Sequence, residues 1–176
     1  MKTMLEHLSQ YAFYHQDKRN VATHFIGIPM IVVGITTLLS RPHFSLFDLM
    51  LTPAILIAIA SGLFYIKLDF IIGAIMSLLL ALSLWIANTL AAQSVQIWLM
   101  SGIALFVIGW VFQFIGHFFE GKKPAFIDDI TGIIIGPLFV FVEFLFVLGL
   151  KREWEEKINV FCSKKNRETA LLTTVN

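Results

Sequence analysis

Four long apolar stretches constrain the fold of this chain more than any other feature of its sequence. They cover residues 21–39, 50–66, 70–87 and 97–116. A helix that crosses a bilayer needs about 20 such residues, because it rises about 1.5 Å per residue through roughly 30 Å of hydrocarbon. Each stretch approaches that length, and short polar segments separate them. We therefore predict an all-α, polytopic helical membrane protein with four spans.

A fifth apolar stretch, residues 126–150, contains a potential break at Gly136-Pro137. It predicts either a re-entrant hairpin that turns there or a fifth span kinked at the proline. The hairpin puts every Lys and Arg except Arg41 on the side that holds the N-terminus. Because Lys and Arg are enriched in cytoplasmic loops, we favour the hairpin and expect that side to be cytoplasmic. The membrane would be a bacterial inner membrane or the endoplasmic reticulum.

The two ends of the chain differ from the apolar body. Residues 3–16 gather their apolar side chains on one helical face, which predicts a short N-terminal amphipathic helix. Residues 151–176 are rich in charge and predict a polar cytoplasmic tail that frays. We therefore divide the chain into a single membrane-embedded domain, residues 1–150, and this tail.

The composition agrees with membrane insertion and excludes several other classes of protein. Hydrophobic residues make up 57% of the chain and charged residues only 14%, which is too little polar surface to cover a soluble domain of this size. The net charge of +1 gives no field that attracts nucleic acid. The single cysteine, Cys162, cannot form an internal disulfide.

Three histidines fall at one membrane face in this arrangement. His15 and His24 flank the polar break before the first span, and His117 closes the fourth span. An even number of crossings separates them, so they lie on the same side. Imidazole binds Zn, Fe, Cu and Ni, and the three side chains therefore predict a transition-metal cluster. Unrelated histidines at headgroup level are the alternative, and spacing alone leaves both open.

Polar side chains on the same helices add candidates. Gln113, His117 and Glu120 share one helical face, and Asn20 precedes His24 by one turn. We expect Asn20 and Gln113 to support the imidazoles from a second layer, and Glu120 or Asp17 to be a possible further ligand. Glu143 lies within an apolar run, where a carboxyl group indicates either a functional site or a protonated group bonded to another helix. In a functional site, we expect it in the same second layer as Asn20 and Gln113.

Several of these residues belong to short motifs that resemble a known family. The motifs are Tyr14-His15 with Asn20, His24, Gly27 and Pro29; Gln113 with Gly116-His117, Glu120 and Pro124-Ala125; and Pro137 with Phe139 and Val142-Glu143. Their order and spacing resemble the yeast-type 2-hydroxy fatty acid dioxygenase family. The motifs extend from residue 14 to residue 143, so the resemblance covers most of the chain but not the tail.

The resemblance implies a membrane enzyme that uses Fe(II) and O2. Members cleave a long-chain 2-hydroxy fatty acid to CO2 and the fatty acid one carbon shorter, an α-oxidation reaction. His15, His24 and His117 match the family's histidines, which are taken to hold the iron and would be the catalytic residues. Lys122 and Lys123 are then expected to attract the substrate carboxylate. The expected partners are this substrate, O2 and membrane lipid.

Two interpretations from other classes remain open. A small transporter or proton channel would use Glu143 and Gln113 as polar sites within the membrane. That interpretation predicts polar residues through the depth of several spans. The few polar residues of the second and third spans are mainly Ser and Thr, which counts against it. A non-enzymatic membrane scaffold would leave the histidines without a shared role.

Overall fold

The fold is described from a computed structural model, which describes residues 2–46, 48–121 and 131–174. These residues form seven helices and one small β-hairpin. The helices are α1 (Met4–Phe13), α2 (Lys18–Ser40), α3 (Pro53–Leu68), α4 (Phe70–Ala91), α5 (Val95–Glu120), α6 (Gly132–Val147) and α7 (Arg152–Thr174). Strands β1 (Phe44–Leu46) and β2 (Leu49–Leu51) pair antiparallel. The prediction of an all-α membrane protein is confirmed, and the hairpin is a short addition to it.

Three helices are long and apolar enough to cross a membrane, namely α2, α4 and α5. Helix α3 is apolar but has only 16 residues, fewer than a full crossing needs. Helices α6 and α7 count as one further span only if taken together, and they meet at an angle of 117°. Four predicted spans therefore correspond to three full-length helices and the shorter α3.

The turn predicted at Gly136-Pro137 is wrong. Helix α6 continues through Pro137, so the missing amide removes one hydrogen bond without ending the helix. The chain bends after α6 instead, where Gly149 and Lys151 adopt positive φ angles of 75° and 56°. Apolar sequence ends at the same place, since charged residues begin at Lys151. The bend therefore coincides with the change in polarity rather than with the proline.

The fold consists of two compact units, and the boundary between them falls within the continuous helices α2 and α5. The first unit comprises Met1–Ala22 and Gly116–Asn176. In it, α1 packs against both α6 and α7. The amphipathic helix predicted at the N-terminus is present, and Thr3 and Glu6 form a capping box at its start. The sequence predicts a tail that frays, but the structure has the helix α7 there.

The second unit, Thr23–Ile115, contains the other apolar helices. Its α3 and α4 pack along their length, joined by Asp69, whose side chain accepts a hydrogen bond from the Ile72 amide over 2.9 Å. Helices α2 and α5 approach closely at glycines. A Cβ added to Gly109 would lie 2.8 Å from the Gly27 carbonyl oxygen, and one added to Gly34 would lie 2.7 Å from the Phe106 amide nitrogen. Small residues of this kind let membrane helices pack backbone to backbone.

Candidate metal centre

His15 lies just beyond the end of α1, in the short segment that leads to α2. Its Nδ1 is 2.8 Å from the carbonyl oxygen of Tyr11, one helical turn earlier. Because a carbonyl oxygen only accepts, Nδ1 carries the proton and donates it in this hydrogen bond. In the neutral imidazole, Nε2 then keeps the lone pair with which histidine binds a metal. Only 4% of the His15 surface is exposed.

Aromatic rings fix the plane of the His15 imidazole. The Tyr11 ring stacks on it with centroids 4.1 Å apart and an angle of 1° between the planes. Phe139 of α6 lies against both rings, with its centroid 4.9 Å from that of Tyr11 and 5.6 Å from that of His15. Burial raises the pKa of Tyr11, so its phenol stays neutral. These contacts hold the first imidazole in one orientation inside an apolar shell.

His117 supplies the second imidazole, on α5. Its ring centroid is 4.9 Å from that of His15, and the rings meet edge to face. His24 supplies the third, on α2 one turn beyond Asn20, and is almost completely buried. One ligand atom from each of the three lies within 4.8 Å of the others. The three histidines predicted to cluster are therefore brought together.

The donor set fits a transition metal. Two nitrogens bound to one ion at about 2.1 Å can be no more than about 4.2 Å apart, so small side-chain movements bring this group to coordination distance. Three imidazoles, all buried, exclude the oxygen-rich coordination that Mg²⁺ and Ca²⁺ prefer. Three ligands also leave positions open for further molecules.

The sequence of the chain is similar to proteins of known activity. The profile of a family described as 2-hydroxy-palmitic acid dioxygenase Mpo1-like matches residues 1–148. The chain belongs to this family. It is also 34% identical over 145 residues to 2-hydroxy-palmitic acid dioxygenase MPO1 of Saccharomyces cerevisiae, covering 81% of this chain and 79% of the yeast protein. No solved structure matches it. The resemblance stated from the motifs is confirmed.

Glu120 of this Mpo1-like protein holds the segment that carries His15. Its Oε1 accepts a hydrogen bond from the Gln16 amide over 3.0 Å, and its Oε2 accepts from the Asp17 amide over 2.8 Å. The Asn20 side chain donates to the same Oε2 over 3.1 Å. Within the described residues, the group able to hold a metal consists of the three histidines and does not include Glu120.

Asp17, the other carboxylate considered as a ligand, forms an ion pair with Arg19. Its Oδ2 is 2.7 Å from the Arg19 guanidinium, and its Oδ1 accepts from the Arg19 amide over 2.8 Å. The hydrogen bonds from Arg19 lower the pKa of Asp17 to about 2, so the carboxylate stays ionised. Asp17 also belongs to the turn that begins α2, since its carbonyl oxygen accepts from the Val21 amide.

The remaining candidates lie in different surroundings. Gln113 is buried on α5 against Gly27, where an added Cβ would collide with its amide nitrogen. Glu143 is half-buried on α6. Lys122 and Lys123 lie outside the described residues. His43, which the sequence does not assign to the cluster, is exposed beyond the far end of α2.

Sequence reasoning missed two contacts of the site. Tyr11 carried a signal, because it precedes His15 by four residues and the pair therefore shares a helical face. Gln16 carried none, since nothing in the sequence marks it as a residue that bonds to both Glu120 and α7. Its amide bonds to Glu120, and its side chain to Asn166.

Proposed function

We propose that this protein is an Fe(II)-dependent dioxygenase that cleaves 2-hydroxy fatty acids to CO2 and the fatty acid one carbon shorter. The observation that carries the proposal is the buried group of three histidine ligand atoms within 4.8 Å, in a member of this family. His15, His24 and His117 would hold the metal. The name of the yeast relative gives the substrate class, a 2-hydroxy acid with a long acyl chain.

The reaction balances with O2 as the oxidant. The bond between C1 and C2 of the acid breaks, C1 leaves as CO2, and C2 is oxidised from an alcohol to a carboxyl group. O2 accepts the electrons that the acid loses. Together, one 2-hydroxy acid and one O2 give one shortened fatty acid, one CO2 and one water. When bound, a redox-active metal supplies the ability to activate O2, which the amino-acid side chains lack.

The ligand set favours an anionic substrate. Neutral imidazoles, the form in which histidine binds a metal, do not cancel the charge of a divalent ion. A carboxylate is attracted to such a site, most strongly where burial excludes water. The aromatic rings of Tyr11 and Phe139 also lie against His15. The chain thus combines a cationic site with an apolar wall, which suits a fatty acid.

The helix that bears His117 also presents apolar surface to lipid. Phe114 and Phe118, on either side of His117 along α5, are 57% and 82% exposed. In a membrane, such side chains contact acyl chains rather than water. A lipid substrate that lies along α5 therefore brings its carboxyl end to the level of His117, where the membrane segment ends.

Metal exchange tests the proposal. Protein purified without O2 should contain iron near one equivalent per chain, and should release CO2 from C1-labelled 2-hydroxypalmitate only when O2 is present. Chelation should abolish release, and Fe(II) should restore it. Zn(II) should bind the same imidazoles without restoring activity, because it has no redox chemistry.

Palmitate, which lacks the 2-hydroxyl group, is the matched control and should release no CO2. Protein that takes up no metal after reconstitution with Fe(II) would contradict the proposal and favour a scaffold or transporter.

A further inference from the structure

Helix α7 lies beyond the residues that the family profile matches, yet it packs on the helix that leads to His15. The match ends at residue 148 and α7 begins at Arg152. Ile158 and Cys162 of α7 are buried, at 4% and 6% exposure, although most of the helix is polar. In the first unit, α7 packs against α1. A helix with so few apolar residues therefore uses its buried face for this contact.

Two side chains of α7 reach the segment around His15. The Asn166 amide donates a hydrogen bond of 2.9 Å to Gln16 Oε1. The ammonium group of Lys165 lies 4.4 Å from the centre of the Phe13 ring, within the range of a cation–π interaction. Phe13 and Gln16 lie two residues before and one residue after His15. The contacts of α7 thus flank this histidine along the chain.

Gln16 links these contacts to α5. Its side-chain amide donates to the Phe13 carbonyl oxygen over 2.9 Å, and its backbone amide donates to Glu120 over 3.0 Å. One residue is therefore held by α7, by the end of α1 and by the end of α5. A segment outside a helix has no ladder of its own backbone hydrogen bonds, so such external bonds determine how well it is ordered.

We propose that α7 is a brace that positions His15, with Asn166 and Lys165 as its positioning residues. The inference rests on the proposed metal site. The brace acts on the ligand rather than on the reaction, because its two side chains contact the neighbours of His15 along the chain. Loss of the brace leaves His15 in a less ordered segment, so part of the binding free energy of the metal must order that segment.

Anaerobic titration of the metal-free, full-length protein with Co(II) tests the brace. Co(II) reports both affinity and coordination geometry through its visible absorption. Lys165→Ala/Asn166→Ala should weaken Co(II) binding by about tenfold, the lower end of the range for groups that orient metal ligands. The absorption bands of Co(II) bound to this variant should also shift, whereas a general loss of protein stability would not shift them. Asn166→Gln, which keeps the amide donor, should recover much of the affinity.

Lys164→Ala is the matched control, because Lys164 is exposed on the same helix. It should leave both affinity and spectrum unchanged. If the wild-type protein binds Co(II), and the double variant binds it with the same affinity and spectrum as Lys164→Ala, the brace is overturned but the proposed metal site is not. Failure of the wild-type protein to bind Co(II) would overturn the brace and the proposed metal site together.

A chain that ends at Lys151 provides a second test. Circular dichroism should show that α1 to α6 stay helical, and Co(II) affinity should fall at least as far as in the double variant. Unchanged affinity in this shortened chain would also overturn the brace. If it does not fold, the double variant decides the question, since it alters only side chains that are at least partly exposed.

Discussion

The imidazole of His15 is held by a peptide carbonyl on one edge and by an aromatic ring on one face. The hydrogen bond to Tyr11 selects which nitrogen carries the proton, and the stacked ring selects the plane. The three histidines could be predicted from sequence because polar residues at the ends of apolar runs are few. The stacking could not, because it depends on side-chain rotamers and on Phe139, which is distant in sequence.

The histidines should be individually indispensable. His15→Ala, His24→Ala and His117→Ala should each abolish release of CO2 from 2-hydroxypalmitate, because two imidazoles hold a metal poorly and position it badly. Activity should be measured in membranes at matched expression. His43→Ala is the control and should keep near-wild-type activity. His24 lies near the start of α2, whereas His43 is exposed beyond the end of that helix. Substantial activity in any of the first three variants would place the site elsewhere.

Glu120 should act as a positioning residue. Glu120→Ala removes the acceptor for two backbone amides and for Asn20, and should lower Fe(II) affinity by about 10–100-fold. The variant should remain inserted, and equilibrium binding should be measured alongside activity. Glu156→Ala removes an exposed carboxylate of α7 and should have no effect. A Glu120→Ala protein that binds no Fe(II) at all would instead favour direct ligation by this carboxylate.

At the scale of elements, the close approach of α2 and α5 depends on glycines. Gly27 and Gly34 of α2 are seven residues apart, as are Gly102 and Gly109 of α5. This spacing returns each residue to nearly the same helical face after two turns. The apolar runs could be predicted from sequence, but the pairing of these faces could not, because many small residues lie in the spans.

Gly109→Leu should force α2 and α5 apart. Its Cβ alone would lie 2.7 Å from the Ile31 side chain, so the larger residue should cost about 1–3 kcal/mol, the usual penalty of overpacking. Unfolding in detergent should show the loss as a lower midpoint. Ala104→Leu makes a comparable change at an exposed position of the same helix and should have little effect. Equal stability of the two variants would mean that the contact is not tightly packed.

The bend after α6 and the helix α7 show where local sequence rules fail. Pro137 lies inside α6, past its first turn, and the helix continues through it although the proline removes one backbone hydrogen bond. The charged tail has too little apolar surface to predict a packed helix by itself. Its order in the structure accompanies the contact between α7 and α1, which lie at opposite ends of the chain.

For the whole molecule, we expect both ends of the chain to lie on the same side of the membrane, because α1 and α7 pack together. Lys2→Cys and Ser163→Cys, each in a Cys162→Ala background, should therefore react with an impermeant maleimide from the same side. Position 163 is preferable to Cys162, which is buried. Gln93→Cys, in the connection between α4 and α5, should react from the opposite side. Labelling of residues 2 and 163 from opposite sides would contradict this topology.

The distance along the chain between Gln16 and Glu120 has a consequence for biosynthesis. These residues are 104 positions apart, and α5, which carries His117, is the last of the three long apolar helices to be synthesised. While the ribosome is still producing α3 and α4, the segment after α1 has emerged but lacks Glu120 and its partner imidazole. The proposed metal site would therefore be incomplete at that stage. On that proposal, only a chain that has completed the insertion of α5 would bind the metal, so bound metal would mark a correctly assembled chain.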